Sequence, residues 1–158
     1  MRSGQPNIEI VPARAIHIRE IARRMRDADR LEVSAASGKS PFDALAFSLR
    51  RSAYAWTALV NGRPEVMFGV ADLNLIEGSG AVWLLGTDAV EKYSRIFLRM
   101  SRDFRRQLLA RYRVLRNFVH ADNRVSIRWL EWMGAKFGEP IDWNGHAFRM
   151  FEMRAEDV

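Results

Sequence analysis

Two rhythms of apolar and polar positions divide this chain into short strands and amphipathic helices. Residues 8–11 alternate with the period of a strand, which Pro12 closes. Over residues 13–28, Ile16, Ile21 and Met25, with Ile18 beside them, return at helical spacing, while Arg14, Arg19, Arg23 and Arg26 fall outside that stripe. Residues 29–40, ending in Ser37-Gly38-Lys39-Ser40, read as a loop, and Ser40-Pro41 opens a second helix that runs to about Arg51. Residues 54–60 and 64–72 read as strands joined by Asn61-Gly62, the strongest short hairpin signal. A turn at Glu77-Gly78-Ser79-Gly80 leads into a third strand of the meander over residues 81–85, and the first strand is expected to join the edge.

A long helix is expected from Asp88 or Ala89 to Arg113, capped by Thr87 or Asp88. At about 100° per residue, Tyr93, Phe97, Met100, Phe104 and Leu108 line one side, and Arg95, Arg99, Arg102, Arg106 and Arg113 line the other. Residues 117–120 follow as a strand. Asn123 then caps a helix over residues 124–133 with Gly134 just past its end. Lys136-Phe137, a turn at Pro140 and a last strand near residues 147–153 finish the chain, with Trp143-Asn144-Gly145-His146 as the final hairpin turn. The order β-α-α-β-β-β-α-β-α-β-β predicts an α/β chain of the α+β type. A mixed, largely antiparallel sheet is flanked by helices in a single domain over residues 1–158.

Charge sharpens this picture. The net charge is +6, and all the basic residues are arginine except Lys39, Lys92 and Lys136. Arginine pairs bidentately with phosphate and carboxylate, so a polyanionic neighbour, nucleic acid or an acidic protein, is one reading of the arginine side. A plain solvated helix face is the other, and with no aromatic interleaved among those arginines, base stacking there is not expected. The chain has no cysteine, which excludes disulfides, thiolate metal sites and thiol nucleophiles. The start Met1-Arg2-Ser3-Gly4-Gln5-Pro6 is polar, and no run approaches the roughly 20 apolar residues of a membrane span. The expectation is a protein neither secreted nor membrane-embedded.

Other chemistries find little support. His17, His120 and His146 are widely spread and lack metal-site spacing. No G-x-S-x-G elbow or Walker A motif is present, and Ser37-Gly38-Lys39-Ser40 lacks the earlier glycine and the preceding strand. Asp72, Glu77 and Asp88 are the carboxylates to consider as general bases, each also explained as a turn or cap residue.

The run Asn123-x-x-Ser126-x-x-Trp129-Leu130-x-x-x-Gly134-Ala135 resembles the signature of the GNAT acetyltransferases, whose element order this chain shares. More narrowly, Val82-Trp83-Leu84-Leu85-Gly86-Thr87-Asp88, the stretch from Tyr112 to Val119, and Asn123-Arg124-Val125-Ser126-Ile127-Arg128-Trp129-Leu130 resemble the GNAT-like internal virion proteins of tailed phages. The resemblance implies a GNAT-like sheet whose fourth and fifth strands splay apart. It implies acetyl-CoA as the cofactor, its pantetheine arm paired with the fourth strand and its pyrophosphate on amides at a glycine-rich turn. Leu84, Leu85, Gly86, Thr87, Asn123 and Ser126 are then the cofactor residues, if CoA binds at all. Here that turn reads Gly86-Thr87-Asp88-Ala89-Val90-Glu91, with one glycine and two carboxylates, and the family's tyrosine proton donor is replaced by Leu130. No cofactor is therefore expected. The resemblance implies a phage-derived, non-catalytic protein with a structural or assembly role, in the virion interior or the host cytoplasm. The arginine side would meet DNA, a particle protein or another copy. An acetyl-CoA-dependent N-acetyltransferase with an atypical cofactor loop, in which Arg95 helps hold phosphate, is the alternative. A nucleic-acid-binding or regulatory module is the second.

Overall fold

The computed structural model describes residues 4–155; Met1, Arg2 and Ser3 lie outside the described residues. Strand β1 (Ile8–Pro12) leads through a 3-10 turn (Ala15–His17) into α1 (Ile18–Arg23), α2 (Asp27–Ser37) and α3 (Pro41–Arg51). The meander β2 (Tyr54–Val60), β3 (Arg63–Asn74) and β4 (Ser79–Gly86) follows. After it come α4 (Ala89–Lys92), α5 (Ser94–Leu109), β5 (Val114–His120), α6 (Arg124–Trp132), β6 (Lys136–Phe137), β7 (Ile141–Trp143) and β8 (His146–Arg154). The sheet runs β1-β2-β3-β4-β5-β8-β6, with β7 also on β8. Every pairing is antiparallel except β4 with β5.

Local chemistry explains the turns. Asn61 and Gly62 take φ of 51° and 83°, and Asn144 and Gly145 take 51° and 81°. Those left-handed pairs match the right-handed twist of the flanking strands, and asparagine followed by glycine tolerates them best. Ser40 accepts the Asp43 N–H at the start of α3, and Gly134 (φ 88°) ends α6.

Three expectations about helices need correction. The helix predicted over residues 13–28 breaks after Arg23 and restarts at Asp27, so most of the predicted loop 29–40 is helix α2. Its buried stripe is Ile18, Ile21, Ala22 and Met25, whereas Ile16 is 67% exposed. Arg26, assigned to the outside, is only 4% exposed. The long helix also breaks at Tyr93, and α5 ends at Leu109 because Tyr112 and Arg113 turn back onto the sheet. There the Tyr112 hydroxyl donates to Asp72 at 2.5 Å and the Arg113 N–H donates to the Gly78 carbonyl at 2.7 Å. Arg113 is exposed but no longer lies on the helix.

Strand alternation sends side chains to two helical layers. Met67 and Leu85 pack with Trp83 against Ile18, Ile21 and Leu45 of α1 and α3. Val66, Phe68 and Val70 face the other way, toward Phe97 of α5, Val90 of α4 and Leu108. Phe104 meets Phe68 edge-on at 4.8 Å and Trp56 at 5.0 Å, which fixes α5 on the sheet.

Candidate ligand cleft

β4 and β5 pair only through Ser79–Ala81 against Val114–Arg116 and then diverge. At the fork, the Asn117 side-chain amide donates to the Val82 carbonyl at 2.7 Å, taking the place of the next ladder bond. Both backbone groups of a strand residue point to the same neighbour, so Leu84, two residues beyond Val82, also turns its N–H and C=O into the fork. Trp83 and Leu85 turn theirs toward β3, and the Leu85 side chain is buried against α1.

The fork opens into a cavity of about 480 Å³. Phe97, Phe104, Trp129 and Leu130 are among its apolar walls, and its carboxylates are Asp29 and Glu32. Asp72, Glu77 and Asp88 do not line it. Asp72 is held by Tyr112, and Glu77 is held by Arg116 at 2.8 Å, which keeps its pKa below the usual carboxylate value. Asp88 is exposed at the start of α4.

The break between α1 and α2 fills the mouth of the fork at the end of β4. Asp29 accepts the Gly86 N–H at 3.0 Å, and the Arg26 N–H donates to the Gly86 carbonyl at 3.0 Å. The Arg26 guanidinium pairs with Asp29 at 2.9 Å and Glu91 at 3.0 Å and donates to Ser126 at 2.7 Å. Glu32, one turn on, accepts the His120 N–H at 2.8 Å and the Asn123 amide at 3.0 Å. Asn123 in turn caps α6 by accepting the Ser126 N–H at 3.3 Å. Burial pushes the Asp29 and Glu32 carboxyls above their usual values, against the opposing pull of their hydrogen bonds. Burial also works against the charge of Arg26, but Asp29 and Glu91 outweigh it and its pKa rises.

The turn itself is closed by Glu65 of β3 and by its own Thr87. The Thr87 N–H donates to the Glu65 carbonyl at 2.9 Å, the Thr87 hydroxyl bonds the Glu65 carboxylate, and the Ala89 N–H donates to the Thr87 oxygen at 3.2 Å. Gly86 is there for packing, since a Cβ on it would sit 2.8 Å from a Val90 methyl. Glu65 also takes Arg24 at 2.9 Å.

Gly86, Asn123 and Ser126 thus converge on one network and Leu84 lines the cavity beside it, while the Leu85 side chain belongs to the core and Thr87 to the turn. Arg26, Asp29 and Glu32 carry the network and were missed by sequence reading. The signals in the chain were Asp27 and Asp29 at a helix start and Gly38, with φ of 69°, after its end. Arg95 lies exposed on α5 and lines neither this cavity nor the groove beside Thr87. His120 and His146, distant in sequence, meet at 3.1 Å across β5 and β8. Among the described residues no cluster of three metal-ligating side chains forms. No helix among them is long and apolar enough to cross a membrane.

Comparison with solved structures places this architecture. The chain superposes on a spermidine N-acetyltransferase from Vibrio cholerae in complex with CoA and spermine, with a TM-score of 0.68 and 11% identity, covering 95% of this chain and 96% of that one. It superposes on a GNAT-family acetyltransferase from Streptococcus pneumoniae (TM-score 0.65, 12% identity, 94% and 99% covered). A ribosomal L7/L12 alpha-N-protein acetyltransferase in complex with coenzyme A gives 0.67 and 10%, with 96% of each chain covered. This is the GNAT fold. Sequence comparison adds a match to the family model described as "Bacteriophage T7, probable scaffold protein Gp13" over residues 67–141. That span runs from β3 through the fork and α6 to the start of β7. No curated protein matches the sequence.

Proposed function

We propose that this chain is a GNAT-fold phage protein with a structural or assembly role in the particle, and that it does not catalyse acetyl transfer. The observation that carries this reading is the closed turn after β4. The amides of Gly86, Thr87 and Ala89, which would face a CoA pyrophosphate, are bonded to Asp29, Glu65 and Thr87. An anion arriving there would meet two carboxylates and few amides able to turn toward it. Leu130 supplies no proton for a leaving thiolate. The match to a phage scaffold family over residues 67–141 supports the particle role.

A second reading, an N-acetyltransferase with an atypical loop, is favoured by the Leu84 backbone edge and the cavity beside it. It also draws on fold neighbours solved in complex with CoA. A thermal-shift titration with CoA and acetyl-CoA separates the two. A ligand at about 100 times its Kd stabilises the native state by about 2.7 kcal/mol, a shift of a few degrees in a domain of this size. No shift at millimolar CoA is expected, and a saturating shift would instead revive the enzyme reading and call for a screen of acetyl acceptors. Mass spectrometry of purified particles tests the other half, and absence of the chain from them would overturn the assembly role.

A further inference from the structure

The charge of this protein is concentrated. Helix α5 carries Arg95, Arg99, Arg102, Arg105 and Arg106 against one carboxylate, Asp103, and α6 carries Arg124 and Arg128 against Glu131. Those two helices therefore hold a net +5 of the chain's +6. They lie side by side and run in the same direction. At one end Arg26 joins Glu91, just before α5, to Ser126 in the first turn of α6. At the other end Arg105 donates to the Met133 carbonyl, and the Arg102 guanidinium lies 3.5 Å above the Trp132 ring.

Arg95, Arg99, Arg102 and Arg106 recur on one stripe of α5, over about 16 Å at 1.5 Å per residue. Arg124, Arg128 and Trp132 recur on one stripe of α6 at i, i+4 and i+8. Arg106 has a partner, Asp103 at 3.7 Å, but Arg95, Arg99, Arg102, Arg124 and Arg128 have no carboxylate partner among the described residues. Trp132 is 48% exposed, and its indole has no core role that explains it. No aromatic is interleaved among the arginines of α5 itself, but α6 brings Trp132 to Arg102 from outside that sequence.

We infer that the α5–α6 face binds single-stranded nucleic acid, its arginines on the phosphates and Trp132 as a stacking surface for a base. The residue types decide the class. Guanidinium groups fit phosphate bidentately, and neither helix contains a lysine. A half-exposed indole backed on one face by a guanidinium suits an unpaired base, which offers its ring face, and gives nothing to a duplex backbone. This activity goes beyond the assembly role and does not depend on whether CoA binds.

The test is fluorescence anisotropy on the whole chain with labelled oligothymidylate and a duplex of equal length, from about 50 to about 200 mM salt. With about five phosphate contacts on a single strand, the slope of log affinity against log salt is expected near −3.5. Changing Arg95, Arg99 and Arg106 together to Gln should bring it to about −1.4. Trp132→Ala should weaken oligothymidylate about tenfold without moving the slope, and Trp132→Phe should restore most of the loss. The same number of arginines removed elsewhere, as Arg14→Gln, Arg19→Gln and Arg50→Gln, should leave the slope unchanged. Circular dichroism confirms that each variant is folded. An equal slope change in that control would overturn the inference, and so would a triple variant that binds like the parent. So would tighter binding of duplex than of single strand. Displacement of oligothymidylate by polyglutamate at equal charge, with Trp132→Ala indifferent, would assign the face to an acidic protein instead.

Discussion

Asp29 accepts the backbone N–H of Gly86 at 3.0 Å while its other oxygen holds Arg26 at 2.9 Å, so one carboxylate both seals the end of β4 and neutralises a buried guanidinium. Both side chains are almost wholly buried. Removing Asp29 leaves the Gly86 amide unsatisfied and the buried Arg26 with only the half-exposed Glu91 as counter-charge, and loss of one partner of a buried pair costs about 3–5 kcal/mol. Asp29→Ala should therefore lose that much stability in urea denaturation. Replacing Arg26 and Asp29 together by apolar residues of similar size should cost distinctly less. A double variant as unstable as the single would mean that the pair is not what holds the turn.

Glu32 gives a pH dependence whose sign can be worked out. Burial raises its pKa above the ordinary 4.5. Between that value and the raised one, the native state holds more protons than the unfolded chain, so stability falls as pH rises through the window. Both N–H groups that Glu32 accepts go to the same oxygen, so Glu32→Gln can keep them. That variant should be more stable than the parent at neutral pH, and the difference should vanish on acidification through the window. Denaturation midpoints across the acid range check it; a difference that grows toward low pH would contradict it.

How far the chain discloses this site depends on the reach of the interactions. Asn61-Gly62 and Asn144-Gly145 are legible because the conformational preference belongs to the residues themselves. The strands from Tyr54 to Gly86 are legible because they are short, nearly continuous apolar runs bounded by turn residues. Arg26 is not, because it sits at helical spacing with exposed arginines and is buried by partners far along the chain, Glu91 and Ser126. The break at residues 24–26 is invisible for the same reason, since the bonds that stabilise it come from Gly86. Trp132 at the surface is not legible either, because a tryptophan more often packs in a core, and only the lie of α6 along α5 brings it to Arg102.

Tyr112 donates its hydroxyl to Asp72 at 2.5 Å, tying the end of α5 to the end of β3. Burial, and then the bond to Asp72, raises its phenol pKa above the usual 10.0. Ultraviolet titration should show one tyrosine ionising above the ordinary range, and that signal should disappear in Tyr112→Phe. The same substitution should cost about 1 kcal/mol of stability, the usual net worth of such a bond. A normal phenol titration would mean the contact is not maintained in solution.

Gly86 offers a test of why the turn keeps its single glycine. A cradle for phosphate would need the glycine for close approach of a ligand, whereas here its missing Cβ makes room for Val90, 2.8 Å from where that atom would stand. Val90 is almost fully buried, so it has little freedom to retreat. Gly86→Ala should destabilise the fold by about 1–3 kcal/mol, the cost of overpacking a filled site. Val90→Ala alone should also destabilise, through the cavity it leaves. The two changes touch the same space, so the double variant should be more stable than the sum of the two losses predicts, with a coupling of about 1 kcal/mol. Equilibrium denaturation of the four proteins measures that coupling without any ligand. Strict additivity would show that Val90 is not what Gly86 accommodates, and would turn attention to the Glu65 carbonyl and the Val66 methyl, each 3.2 Å from where the Cβ would stand.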